Sequence, residues 1–197
     1  WQLQGPLYDK SVDPFSTSDL IKPLVLADGS LIGLGYRFHR HDPNMPIGIK
    51  ATNGILPGDN VVSFSNDDGR TWTVPQVIEL GSVEVVEVPH NPIQLHNGDI
   101  VASAGLFKLP DGQFPRGQFG VLLRSKDSGK SWDDSTRFFE TPGNSISGYE
   151  SNVIEMQDGR LVTICWAIDV VGDRNFNNMV TVSHDNGYTW SDPIDTG

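Results

Sequence analysis

Apolar and polar positions along the chain fall into a unit that occurs three times. An apolar run, a two-residue polar turn and a second apolar run appear first as Lys22–Ala27, Asp28-Gly29 and Ser30–Phe38. They return as Asn91–His96, Asn97-Gly98 and Asp99–Lys108, and again as Ser151–Gln157, Asp158-Gly159 and Arg160–Asp169. Asp-Gly or Asn-Gly between apolar runs is the strongest short-range signal of a β-hairpin. After each hairpin come a loop and a third apolar run: Val61–Phe64, Val121–Leu123 and Met179–Val182.

An octapeptide closes each third run. It reads Ser65-Asn66-Asp67-Asp68-Gly69-Arg70-Thr71-Trp72, then Ser125-Lys126-Asp127-Ser128-Gly129-Lys130-Ser131-Trp132, then Ser183-His184-Asp185-Asn186-Gly187-Tyr188-Thr189-Trp190. The first serines stand 60 and then 58 residues apart. Ser and Asp side chains accept hydrogen bonds from nearby backbone N–H groups and close a tight turn. Gly supplies a left-handed backbone conformation. The hydroxyl residue beside Trp is expected to start a fourth strand, with the Trp buried beneath. Each unit is therefore predicted to be a four-stranded antiparallel meander of about sixty residues.

Such a meander cannot cover itself. Leu161–Trp166 is apolar at odd and even positions alike, so its sheet needs cover on both faces. Blades stacked around an axis provide it. The expected fold is all-β, a β-propeller of four-stranded antiparallel blades at about 19–80, 84–140 and 148–197. Residues 1–18 would be the end of a preceding blade or a linker. A β-sandwich is the alternative, but it does not require so regular a repeat. Propellers have about four to eight blades, so the chain is expected to supply three blades of about six. The remaining blades would lie in a longer protein, or in a second copy if the chain is a half-propeller that dimerises.

The meander fixes which ends share a face. The Asp/Asn-Gly turns and the octapeptides lie at one end of the blades. The starts of the first strands lie at the other, together with the long loops at about 39–59, 108–117 and 168–177. Long loops on a rigid scaffold are where sites are built, so the octapeptides read as structural.

Composition narrows the partners. A hydrophobic fraction of 37% with 21 Gly and 13 Pro suits a turn-rich β protein. A net charge of −11 argues against nucleic acid and anionic membrane surfaces, and no run is long enough for a membrane span. It also means that an acidic ligand would need a locally basic pocket. The single Cys165 reads as a core residue. No cofactor is expected. The expected location is secreted or periplasmic; because the first residue is Trp1, the lack of a leader carries no information on secretion.

The Ser-x-Asp-x-Gly-x-(Thr/Ser)-Trp pattern resembles the Asp-box, or BNR repeat, of the sialidase (neuraminidase) superfamily. Gly148-Tyr149-Glu150-Ser151-Asn152-Val153-Ile154 followed by Asp158-Gly159-Arg160-Leu161 is similar to the sialidase segment in which a Glu precedes an apolar strand and a Gly-Arg-Leu hairpin. The resemblance implies that Glu150 is a base that takes the proton of a nucleophilic Tyr, since a phenol with pKa near 10 is a poor nucleophile without one. It also implies an acid/base Asp in an early-blade loop, for which Asp42 is the candidate.

Around Asp42, the run Arg37-Phe38-His39-Arg40-His41 concentrates cations in an acidic chain. Arg37, His39, Arg40 and His41 are candidate substrate-binding residues, because Arg can bind a carboxylate bidentately. His39, His41 and Asp42 fall short of a metal site for want of partners, so no metal is expected. Arg174, with Arg116, could extend a basic pocket; Lys108, Asp169 and Asp173 lie in the same loops.

Two family arginine positions differ: Leu20-Ile21-Lys22-Pro23 stands where sialidases have Arg-Ile-Pro, and Trp166 stands at about the place of another arginine. The nucleophilic Tyr belongs to a later blade. The leading function is a sialidase-like glycoside hydrolase acting on terminal, acidic sugars of a glycan. The alternatives are a non-catalytic glycan- or protein-binding propeller, and a polysaccharide lyase using His39 or His41 with a Tyr.

Overall fold

The computed structural model describes residues 5–12, 17–42 and 44–197. Residues 1–4 and 13–16, within the segment expected to precede the first blade, lie outside the described residues, as does Pro43. A short 3-10 turn, Lys10–Val12, precedes the sheets.

The first blade pairs β1 (Thr17–Val25), β2 (Leu31–His39), a third strand and an outermost pair of residues in antiparallel order. Between its second and third strands a small hairpin forms from β3 (Gly48–Ile49) and β4 (Gly54–Ile55). The third strand is β5 (Gly58–Ser65) and the outermost is β6 (Gln76–Val77). The second blade holds β7 (Val86–Glu87), β8 (Ile93–Gln94), β9 (Ile100–Leu106), β10 (Gly120–Ser125) and β11 (Asp133–Phe139). The last holds β12 (Ser147–Glu155), β13 (Leu161–Asp169), β14 (Arg174–Asn175), β15 (Met179–Ser183) and β16 (Ile194–Asp195). These are three antiparallel meanders of a β-propeller.

The inner strand of the second blade differs from expectation. It is two pieces, β7 and β8, both paired with β9, and it begins at Val86 rather than Asn91. Pro89 and Pro92 stand between the pieces, and a proline cannot donate to a ladder. The outer strands β6 and β16 span two residues each, each directly after a proline, whereas β11 has no such proline and runs for seven.

Burial follows position in the stack. Every residue of β9 and β10 is buried, because the second blade is covered on both faces. In β13, Leu161, Thr163, Cys165 and Ala167 are buried against the second blade, while Ile164 and Trp166 on the other face are exposed. Leu161–Trp166, expected to be covered on both faces, is thus covered on one. Between the first two blades pack Ile32, Leu34, Phe38, Ala102, Leu106 and Leu123; between the second and third, Leu122, Phe138, Phe139, Val153 and Leu161. Cys165 is a buried free thiol, pushed up to about 12 by burial.

Each octapeptide is a self-contained turn. In the second, Ser125 Oγ accepts from Gly129 N at 2.8 Å, and Asp127 accepts from Ser131 N at 2.9 Å and Ser131 Oγ at 2.6 Å. Trp132 Nε1 donates back to Gly129 O at 2.9 Å. The other two copies repeat these bonds. The fourth position is left-handed as well as the glycine, with φ near 59° at Asp68, Ser128 and Asn186. The hydroxyl residue was expected to start a strand; instead it closes the turn onto the Asp. Trp132 packs in the core between the first and second blades, and Trp190 packs against that between the second and third.

Candidate functional site

A cavity of about 630 Å³ opens on the loop face, around the inner ends of the blades. Its walls come from all three blades: the β3–β4 hairpin with Lys50 and Asn53, then Glu87, Phe107 and Lys108, then Tyr149, Glu150, Trp166, Ile168 and Val170.

The chain brings two carboxylates here by different devices. Glu87 ends β7. Its neighbour Val86 is pinned from the first blade by Asn60, whose Nδ2 donates to Val86 O at 2.7 Å and whose Oδ1 accepts from Val86 N at 2.9 Å. Glu150 sits in β12, where the pairing with β13 slips between Tyr149 and Asn152. Its φ is +45°, a left-handed conformation uncommon for a residue other than glycine. Consecutive residues of a regular strand face opposite sides; the bulge lets Tyr149 and Glu150 both line the cavity. Backbone strain of this kind costs about 1–3 kcal/mol and concentrates at functional sites.

Glu150 N donates to Glu87 Oε2 at 3.4 Å. Burial, and then the charge of Glu150, push the Glu87 carboxyl up to about 7; the Glu150 N–H and Lys22 offset part of this. Glu87 is therefore a carboxylic acid that can hold a proton near neutral pH, beside a second carboxylate open to solvent. The two acids thus stand in different environments, Glu87 half-buried and Glu150 exposed.

The tyrosines near the pair are not activated nucleophiles. Burial first, then Glu87 and Glu150, push Tyr36 up to about 12. Burial and Glu87 push Tyr149 upward as well, and its hydroxyl donates to Leu106 O. A nucleophilic phenol needs the opposite shift.

Of the residues singled out from the sequence, Glu150 and Lys108 line the cavity, and residues 37–42 are not among the residues lining it. Arg37 is buried, its Nε donating to Asp59 Oδ2 at 2.9 Å, and His39 Nε2 lies 2.9 Å from the same oxygen. Burial opposes ionisation of Asp59, but these two partners hold its carboxyl below the ordinary range. Arg40 donates to Ser18 Oγ at 2.8 Å and to Met45 O. Asp42 accepts from Asn44 N at 2.9 Å in a local turn, and His41 is exposed. Arg174 stacks 4.7 Å from the Phe176 ring, and Arg116 pairs with Glu84 and Asp134. Among the described residues no three His, Cys, Asp or Glu side chains converge to hold a metal, and no helix is long and apolar enough to cross a membrane.

Sequence reasoning missed Glu87, Lys50 and Phe107. The repeat phase was the available signal for Glu87: it lies 11 residues before the hairpin glycine Gly98, as Glu150 lies 9 before Gly159. Gln118 was missed as well. It is buried and joins two loops, donating to Asp169 Oδ1 at 3.0 Å and accepting from Val170 N at 2.7 Å, which fixes the Val170 wall.

No protein-family model and no curated protein matches the chain. Solved structures do. A protein of unknown function from Dyadobacter fermentans is 22% identical with a TM-score of 0.68, covering 97% of this chain and 53% of that one. A Hadza microbial sialidase is 21% identical with a TM-score of 0.60, over 88% of this chain and 33% of its own. The GH93 α-L-arabinofuranosidase of Fusarium graminearum, solved with arabinobiose, is 16% identical with a TM-score of 0.58, over 89% of this chain and 47% of its own. The chain thus spans about half or less of the length of these proteins. At these identities the likeness is one of fold: this is part of an Asp-box β-propeller of the kind that sialidases and GH93 arabinofuranosidases share.

Proposed function

We propose that the protein is a glycoside hydrolase acting on a sugar terminus, with Glu87 as general acid and Glu150 as base. The observation that carries this reading is the carboxyl pair on one cavity wall, with Glu87 pushed up to about 7. Glycosidases in general work with two carboxyl groups flanking the scissile bond, one of them protonated. The similarity to sialidase and arabinofuranosidase propellers supports the same class. Phe107 and Trp166 give the cavity aromatic walls on which a sugar face can rest.

The reading keeps Glu150 as base but moves the partner acid from Asp42 to Glu87. It does not need a tyrosine nucleophile. The carboxylate clamp of arginines that a sialic acid would call for is not supplied by the described residues on this cavity.

Turnover by the full-length protein on a panel of fluorogenic sialosides, uronides and arabinofuranosides tests it. Glu150→Gln keeps the shape and removes the base, so turnover should fall by about a hundred- to ten-thousand-fold with substrate affinity little changed. The parent rate should decline as pH rises through about 7, as Glu87 loses its proton. Unchanged turnover in folded Glu150→Gln would refute the assignment, and binding of glycans without hydrolysis would point to a binding propeller.

A further inference from the structure

We propose that Lys50 and Lys108 form an anion subsite of the cavity, receiving a carboxylate or sulfate group of the glycan. This rests on the reading of the cavity as a glycan site. It starts from how an acidic chain uses its cations. The chain has 14 lysines and arginines against 25 acids. Most are engaged: Lys10 with Asp19, Arg37 with Asp59, Arg116 with Glu84, Arg124 with Asp99, Arg137 with Glu140, and Lys126 over the Tyr188 ring. Lys50 and Lys108 make no ion pair or ring contact among the described residues, and both line the cavity.

The two lysines are held by one docked unit. The hairpin carrying Lys50 lies directly on the turn that follows Lys108. Thr52 Oγ1 donates to Pro110 O at 2.5 Å. A Cβ on Gly54 would stand 2.3 Å from Pro110 O, and one on Gly112 would stand 2.3 Å from Thr52 O. Contact at that range requires glycine on both sides. The first and second blades thus present one lysine each from a fixed platform, on the cavity that also holds the carboxyl pair. A lysine is a point charge on a flexible stem and accepts carboxylate or sulfate without the planar fork of arginine. The site can therefore take an acidic sugar although the described residues lining it include no arginine.

Binding to the full-length protein, followed by ligand-observed NMR, tests the proposal without using hydrolysis. The probes are trigalacturonate against its methyl ester, and galactose 6-sulfate against galactose. One exposed and one partly buried charge contact, at Lys50 and Lys108, correspond to about a tenfold preference for the charged member of a pair. That preference should shrink between about 20 and 200 mM salt. It should vanish in Lys50→Gln/Lys108→Gln and return in the double Arg variant. Preference confined to one pair identifies the anion as carboxylate or sulfate. Equal binding of charged and neutral probes, no binding of either charged probe, or a preference that survives in the Gln variant would overturn the subsite. Hydrolysis without charge preference removes the subsite alone; charge preference without hydrolysis removes the catalytic reading and leaves the subsite.

Discussion

Replacing Glu87 by Gln should stabilise the protein at alkaline pH and leave it nearly unchanged at acid pH. The carboxyl is raised from its ordinary value of 4.5 to about 7, chiefly by burial and then by Glu150. Between these values the folded state holds a proton that the unfolded chain has lost. Stability associated with this group is fully present below pH 4.5 and is lost as pH rises through about 7. At 1.36 kcal/mol per pH unit the difference amounts to ~3 kcal/mol at pH 8. Gln has the same shape, can accept the Glu150 N–H bond and carries no charge, so it escapes that loss. For a chain of this size ~3 kcal/mol corresponds to roughly 6–12 °C in melting temperature. Thermal or urea unfolding of parent and variant from pH 4.5 to 8 reads it directly, and taking the difference between the two cancels the titrating groups that do not interact with Glu87, leaving its coupling to Glu150 as part of the signal. A gap that opens with pH supports an acid held against its preference for water. A difference independent of pH, or a variant less stable at pH 8, would refute the account of Glu87.

Two further outcomes follow from the fold. Asp127→Ala removes the acceptor of Ser131 N and Oγ and should lower stability by about 1–2 kcal/mol in chemical denaturation; activity of the folded fraction should not change, and selective loss of activity at unchanged stability would place the turn at the site after all. The outer face of the last blade exposes Ile154, Ile164, Trp166 and Ile194, so residues 1–197 alone should associate in light scattering, and a well-behaved monomer would contradict the blade faces described here.

The sequence disclosed the parts whose hydrogen bonds are local. An Asp-box bonds within itself: Asp127 reaches Ser131 and Ser125 reaches Gly129, each four residues away. Asp-Gly and Asn-Gly turns are as local, so hairpins, boxes and the order of strands could be read directly. Pro89 and Pro92 broke the inner strand of the second blade, and reading that strand as beginning at Asn91 left Glu87 outside it. The loop face is different because long-range contacts build it. Asn60 grips Val86 across 26 residues, Gln118 grips Val170 across 52, and the Glu150 N–H meets Glu87 across 63. No composition or spacing rule reports such pairs. The basic run Arg37–Asp42 meets the same limit: its charge was visible, but the pairing of Arg37 and His39 with Asp59 on β5, across 22 and 20 residues, was not.

The repeat nevertheless carries more of the site than its motifs do. Asp19, Glu87 and Glu150 all stand 9 to 11 residues before a hairpin glycine, so each blade offers an acid near the start of its inner strand. What separates them is local supply. Asp19 is taken up by the Tyr8 hydroxyl at 3.0 Å and by Lys10 at 2.6 Å. Among the described residues, Glu87 receives the Glu150 N–H and the distant charge of Lys22. A carboxylate with that few partners in a half-buried position tends to keep its proton. The three blades therefore start from one design and reach different chemistry through neighbours: an ion pair in the first, a held proton in the second, and in the third a bulge that turns Glu150 toward the cavity. On the proposed reading, the acids that the scaffold leaves without a cation partner are the ones available for catalysis.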